Sequence, residues 1–252
     1  MKIISAKDYE AMSRQAANII AAQVTLRPDS VLGLATGSSP VGTYQELIAR
    51  YEAGLLDFSR IRTVNLDEYV GLEPTHDQSY AYFMRTNLFD HVNVDPANTN
   101  IPSGVNPDAE AECARYEAVI AGLGGVDLQL LGLGNNGHIG FNEPADSFPV
   151  CTHRVDLTES TIQANKRFFA SIDDVPRHAY TMGVRAIMQA RRVLMVGDNL
   201  LADIQGGIQA GLDTAWYNPG RLPGDPAIVP TWEVDGYAAL QALILKEEKN
   251  NI

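Results

Sequence analysis

The sequence predicts an α/β fold: an open, mostly parallel, doubly wound (Rossmann-like) sheet with helices on both faces. Three observations carry this reading. Val126–Leu131 is an apolar run broken only by Asp127 and Gln129, the pattern of a strand buried in a mostly parallel sheet. Shorter strand-like runs at Val31–Ala35 and Ile61–Leu66 precede it, separated by stretches with helical spacing. These runs end in turns rich in glycine, hydroxyl or carboxylate groups, outside the carboxyl ends of strands, where open α/β sheets bind ligands.

Taken in order, Lys2–Ser5 reads as a short first strand. Asp8–Val24 follows as an amphipathic helix, apolar at Ala11, Met12, Ala16, Ile19 and Ile20. After Val31–Ala35 comes a turn of Thr36, Gly37, Ser38, Ser39 and Pro40, which feeds a helix running to about Tyr51. Such a turn presents free amides and the positive end of the helix dipole, and so forms an anion cradle. It lacks the G-K-[ST] ending of a nucleotide P-loop, and an ordinary capped helix fits it equally. Ile61–Leu66 ends in Asp67 and Glu68, carboxylates that would face the same crevice as the turn after Leu131. Ser79–Phe89 is an aromatic helix, Asn93–Pro107 a loop, and Asp108–Ala121 a helix. Val150–Leu157 reads as extended, and Thr158 opens a helix that carries Lys166 and Arg167.

With 252 residues, 45% of them hydrophobic, the chain can bury one sizeable core or two small ones, and a single α/β domain over residues 1–252 is expected. Its net charge of −12 disfavours nucleic acid and anionic membrane as partners, so an anionic small molecule would need a local positive site. Only Cys113 and Cys151 occur, which fits a reducing cytoplasm rather than a disulfide framework. The start MKIISAKDYE has no long apolar segment and no run approaches 18 apolar residues, so neither export nor a membrane span is expected.

The chemistry concentrates after Leu131. Gly132, Gly134 and Gly137 allow a tight turn, and Asn135, Asn136, His138, Asn142 and Glu143 line it with polar groups. The glycines satisfy G-x-G-x-x-G, but that fingerprint should open a helix, and here Phe141, Asn142 and Pro144 follow. His138 and Glu143 could ligate a metal, though a site needs three or four ligands and no third is spaced nearby. A plain loop histidine is the remaining alternative.

GLGNNGHIGFNEPA, taken with NLDEYVGL at Asn65–Leu72 and LATGSSPVGTY at Leu34–Tyr44, resembles the glucosamine-6-phosphate deaminases, in order and at similar spacing, from about Lys2 to Val193. The resemblance implies an enzyme that turns glucosamine 6-phosphate into fructose 6-phosphate and ammonia without a cofactor or metal. It makes His138 the group that opens the sugar ring, with Glu143 orienting it and Asn136 beside it, and Asp67 the proton carrier. Thr36, Gly37, Ser38, Ser39 and Arg167 would hold the phosphate, and the segment around Tyr80 would help cover the substrate, a small-molecule sugar phosphate.

From Arg192 the text changes. Gly197, Asp198 and Asp203 form a G-D-x-x-x-x-D signature, followed by I-x-G-G-I-x-A-G-L at Ile204–Leu212 and by PTW, and residues 193–252 resemble the carboxyl end of haloacid-dehalogenase-type phosphatases. That signature normally binds magnesium beside an amino-terminal D-x-D-x-[TV] nucleophile, which occurs nowhere in Met1–Val196. Asp198 and Asp203 are therefore an incomplete metal signature, and a magnesium phosphatase is the weakest reading. The junction implies a recombined chain, 1–192 deaminase-like and 193–252 dehalogenase-like. It also implies loss of the lysine that the deaminase family carries on the following helix to contact phosphate, so a folded chimera or a mere sugar-phosphate binder stays open.

Overall fold

The computed structural model describes residues 6–134, 137–143 and 145–196, together with the strands Ala215–Tyr217 and Trp232–Val234. The expected strand at Lys2–Ser5 lies outside them, as do Gly197, Asp198, Asp203 and the helix pattern at Ile204–Leu212.

Helix α1 (Tyr9–Leu26) starts where Asp8 accepts the Ala11 N–H at 2.6 Å, and it buries Ala16, Ala17, Ile20 and Val24 on one stripe. Strand β1 (Val31–Leu34) is buried at every position. It leads through the Thr36–Ser39 turn into α2 (Val41–Glu52), whose contacts are mainly with α1. Strand β2 (Arg62–Asn65) then runs parallel to β1. Further on come α3 (Tyr80–Asn87), the two-residue strand β4 (Thr99–Asn100), α4 (Ala109–Gly122) and β5 (Leu128–Leu131). Beyond the key turn lie β6 (His153–Asp156), α5 (Glu159–Asn165), β7 (His178–Thr181), α6 (Val184–Met188) and β8 (Val193–Met195).

Five strands form the central sheet in the order β4-β2-β1-β5-β8, all parallel, which is the α/β architecture expected. From β1 the order grows outward through β2 and β4, and from β5 it grows the other way to β8. The reversal falls between β1 and β5, so the crevice outside their carboxyl ends lies between the Thr36–Ser39 turn and the turn after Leu131. At the opposite, amino end the same two strands are tied by Asp127. Its carboxylate accepts the buried Val31 N–H at 2.8 Å and pairs with Arg27 at 3.2 Å and with Arg191.

The sequence reading did not anticipate a second sheet. Strand β3 (Asp67–Tyr69) follows β2 after the single residue Leu66 and pairs antiparallel with β7, which pairs antiparallel with β6. Asp67 and Glu68 are thus strand residues rather than loop carboxylates. Leu66 belongs to both sheets: its N–H donates to Leu34 O at 3.2 Å, and its C=O accepts the Met182 N–H at 2.7 Å. The Asn93–Pro107 segment, read as a loop, also holds β4, whose side chains are only partly buried and whose period was too short to see. Two apolar clusters result, a large one under the parallel sheet and a small one of Tyr69, Phe141, Leu157, Ile162, Val175 and Ala179 beside the antiparallel sheet. The strands β9 (Ala215–Tyr217) and β10 (Trp232–Val234) pair parallel with each other in a separate two-stranded sheet.

Replacing Asp127 by Ala should leave the buried Val31 N–H without its acceptor and release two arginines, at a cost of about 1–3 kcal/mol. Urea unfolding is expected to show a lower midpoint at unchanged m-value, and an unchanged midpoint would remove this tie from the account of the β1–β5 junction.

Candidate active site

The crevice is built from three pieces of backbone. The first is the turn after β1. Gly37 adopts a left-handed φ of 99°, and Gly37 and Ser38 are exposed. Pro40 stands at the N-cap of α2, where no side chain caps the helix. Tyr9 of α1 pins the turn, since its hydroxyl donates to Ser38 O at 2.9 Å and accepts the Gly42 N–H at 2.8 Å. The result is an open amino terminus of a 12-residue helix, with Thr36 and Ser39 partly buried at its rim.

The second piece is the turn after β5. His138 lies against Gly134, whose N–H donates to His138 O at 2.8 Å, and any side chain at Gly134 would overlap the imidazole. That close approach, rather than a dinucleotide-binding turn, is what glycine serves here. The His138 Nδ1 stands 3.7 Å from Glu143 Oε2, with the two side chains 20% and 14% exposed, so the pair is sheltered yet reachable. Glu143 Oε1 accepts from Thr161 Oγ1 at 2.6 Å and from Thr158 Oγ1 at 3.2 Å. Asn136 lies outside the described residues.

The third piece is β3 with its partner β7. Asp67 is opposite Thr181 across the ladder. Thr181 Oγ1 also accepts the Phe141 N–H at 3.0 Å, and Asn142 Nδ2 donates to Met182 O at 2.9 Å. The end of β7 therefore carries both the strand that holds Asp67 and the turn that holds His138. Their closeness can be read at Gly140, which has a φ of 58°. A Cβ there would stand 2.8 Å from Thr181 Oγ1 and 3.5 Å from Asp67 Oδ2.

Asp67 is only 6% exposed, and among the described residues its carboxylate forms no hydrogen bond. Desolvation, reinforced by the neighbouring Glu68 charge, pushes its carboxyl up to about 8. Glu68 points to the other face of the strand and caps α3. Its Oε1 accepts the Tyr69 and Tyr80 N–H groups at 2.8 and 2.9 Å, and its Oε2 the Ala81 N–H at 2.9 Å. Burial raises it to about 7 against the pull of those three amides.

Tyr80 begins α3, and its ring stacks on Phe141 with centroids 6.1 Å apart and 5° between planes. Tyr69 packs on Tyr80 at 4.8 Å and on Phe141 at 5.6 Å, so an apolar wall stands beside the two polar turns. Arg167 sits in the 3₁₀ turn after α5, exposed, and the contact its guanidinium makes is with the Phe168 ring at 4.6 Å. The structure thus brings Asp67, His138, Glu143 and Tyr80 into one neighbourhood and leaves Arg167 on a surface turn. Sequence reasoning missed Thr181, Thr158 and Thr161. The N-cap signal of Thr158 was visible, but not what its hydroxyl and that of Thr161 would face. No group of three or more His, Cys, Asp or Glu among the described residues could hold a metal. No described helix is long and apolar enough to cross a membrane.

Residues 6–199 match the family described as glucosamine-6-phosphate isomerases/6-phosphogluconolactonase, and residues 175–234 match a HAD-hydrolase-like family. The chain is 61% identical over 198 residues to the glucosamine-6-phosphate deaminase of Lachnoclostridium phytofermentans, covering 79% of this chain and 84% of that one. Identity to the glucosamine-6-phosphate deaminase of a Thermoanaerobacter species is 51% over 216 residues, 85% of each chain. Among solved structures, a monomeric glucosamine-6-phosphate deaminase superposes with a TM-score of 0.76 at 49% identity, covering 77% of this chain and 81% of that one. A 6-phosphogluconolactonase from Thermotoga maritima shares the fold, with a TM-score of 0.57 at 19% identity over 77% of this chain and 81% of its own.

The raised carboxyls have a consequence for stability. Between the unfolded value near 4 and about 8, the folded chain holds protons at Asp67 that the unfolded chain has released. Stability therefore falls as pH rises through that window, and the full penalty is present above it. Asp67→Asn removes the ionising group, so its melting temperature should drop less than that of wild type between pH 6 and pH 9. Equal drops in the two proteins would mean that Asp67 is not desolvated as described.

Proposed function

The chain belongs to the glucosamine-6-phosphate isomerase/6-phosphogluconolactonase family and, within it, to the glucosamine-6-phosphate deaminases; from that premise we propose how its residues carry out the reaction. Glucosamine 6-phosphate enters the crevice with its phosphate at the amino terminus of α2, where Thr36, Gly37, Ser38 and Ser39 offer amides, hydroxyls and the helix dipole. Arg167 is the cation that closes on the same phosphate, its planar fork suited to two oxygens. Tyr80 and its stacked partner Phe141 form the wall against the sugar.

His138 moves the proton from the anomeric hydroxyl to the ring oxygen, which opens the ring. Glu143 orients the imidazole and holds it in the right tautomer. The 3.7 Å gap between them closes in the substrate complex, since catalytic hydrogen bonds are often long in the free enzyme. Asp67 then takes the proton from C2 and returns it to C1. That converts aldose to ketose and leaves an imine at C2 that water hydrolyses to fructose 6-phosphate and ammonia. The sequence resemblance adds Asn136 to the catalytic group.

The observation that carries the reading is Asp67: a buried carboxylate with no hydrogen bond among the described residues, raised to about 8, beside the turn that bears a histidine–glutamate pair. A carboxyl tuned towards neutrality can both accept and return a proton near physiological pH, whereas an ordinary carboxylate is a weak base there. Two free cysteines fit a cytoplasmic setting.

We further propose that the chain is recombined near residue 192, supported by the second family match at 175–234 and by the change of motif there. Asp198 and Asp203 then stand where the deaminase family has its phosphate-contacting lysine, and substrate affinity suffers.

Ammonia release tests these assignments. Asp67→Asn and His138→Gln should each lower kcat by about 10²- to 10⁴-fold, the usual worth of a positioned proton transfer. Because the free enzyme must ionise Asp67 to use it as a base, kcat/KM should rise with pH through about 8. Retained turnover in either variant would remove that residue's role.

The missing lysine should appear as a KM raised by ~10- to 150-fold over intact deaminases, the equivalent of one charge-assisted contact. A KM equal to theirs would show that the substituted segment supplies a replacement.

A further inference from the structure

We propose that Thr161, supported by Thr158, is a positioning residue for the His138–Glu143 pair, so that the start of α5 sets the geometry of ring opening. This rests on the roles given to His138 and Glu143 above.

Thr161 is 6% exposed, and its Oγ1 donates to Glu143 Oε1 at 2.6 Å, the short distance of a hydrogen bond to an ionised carboxylate. Thr158 adds a weaker contact to the same oxygen at 3.2 Å, and its hydroxyl also stands 3.0 Å from Thr161 Oγ1. Both threonines therefore act on Oε1, and Oε2 is the oxygen turned to His138 Nδ1. A carboxylate is planar, so fixing one oxygen from one side fixes the direction in which the other points. Without Thr161, rotation about the last side-chain bond of Glu143 would swing Oε2 off the line to the imidazole.

A purely structural reading of these threonines explains only part of this. Thr158 is the N-cap of α5, where its Oγ1 accepts the Thr161 N–H at 3.3 Å, so its hydroxyl has a helix-stabilising duty of its own. The hydroxyl of Thr161 has no capping duty. It is buried, and the bonds it makes are with Thr158 and with Glu143, a residue of a different loop. A valine would fill the same volume on that helix face, so the hydroxyl is needed for Glu143 rather than for the packing of α5.

The arrangement also links the two ends of the site. α5 is two turns long, with Thr158 and Thr161 on Glu143 at its start and Arg167 in the 3₁₀ turn just past its end. Asn165 Nδ2 donates to the Tyr69 hydroxyl at 2.9 Å and anchors the far end of the helix to the strand that begins with Asp67.

The test is a double-mutant cycle on ammonia release with Thr161→Val, Thr161→Ser and Glu143→Gln, each checked for native circular dichroism. Thr161→Val should lower kcat about 10-fold, the order that a hydrogen bond to a charged group supports, with KM within about twofold of wild type. Thr161→Ser, which keeps the hydroxyl, should restore most of the loss. In the Glu143→Gln background, Thr161→Val should cost little more, because its target is gone. Fully additive losses, or a Thr161→Val effect that falls on KM alone, would overturn the proposal while leaving the His138 and Asp67 assignments intact. Thr161→Ala is carried alongside, and failure of both hydroxyl-free variants to fold would make Thr161 a structural residue and overturn the proposal too. Undiminished turnover in His138→Gln would instead defeat the underlying mechanism, a distinct result.

Discussion

Leu66 is where the architecture of the site is decided. Its N–H continues the parallel sheet by donating to Leu34 O, and its C=O accepts the Met182 N–H from the end of the antiparallel sheet. A single residue so bound on both sides forces the chain to pass from one sheet to the other with no loop between. Asp67 consequently begins a strand in the seam instead of hanging in solvent. The same segment, Thr181 and Met182, receives the turn of Phe141 and Asn142, so the seam collects the histidine as well.

Burial in that seam is unfavourable for a carboxylate, and no described residue offsets it with a hydrogen bond to Asp67. The neighbouring Glu68 shows what compensation looks like, since three backbone amides and the amino end of α3 accept its charge. Burial raises both of these adjacent carboxyls, but they sit on opposite faces of one strand and differ in partners: Glu68 is held by three amides as a structural cap, and Asp67 has no hydrogen bond among the described residues. Sites whose chemistry needs a perturbed proton affinity carry such locally destabilised groups, and the surrounding sheet supplies the stability that permits them.

Much of the fold was legible because its signals are local. The amphipathic stripe of α1, the helix read from Asp108 to Ala121, and the strands at Val31 and Leu128 all follow from spacing within a few residues. The residue types of the site were legible too, through the motifs at Leu34–Tyr44, Asn65–Leu72 and Gly132–Ala145. The antiparallel sheet was not. β7 and β6 are four residues each and only half follow an alternating pattern, and nothing near Asp67 in sequence announces that Thr181 will stand opposite it.

The sequence by itself determined the α/β class and marked the turn before α2 and the residues Asp67, His138 and Glu143 as the candidates for anion binding and proton transfer. Only the tertiary structure decided that Asp67 is a strand residue sealed from water, that Glu143 answers to Thr161 as well as to His138, and that Arg167 rests on Phe168 in the free protein. The physical reason is one of range. Helix stripes, caps and turns are set by neighbours in the chain, whereas desolvation and the aim of a carboxylate depend on what is packed against it, and here those partners come from strands and helices far apart in sequence.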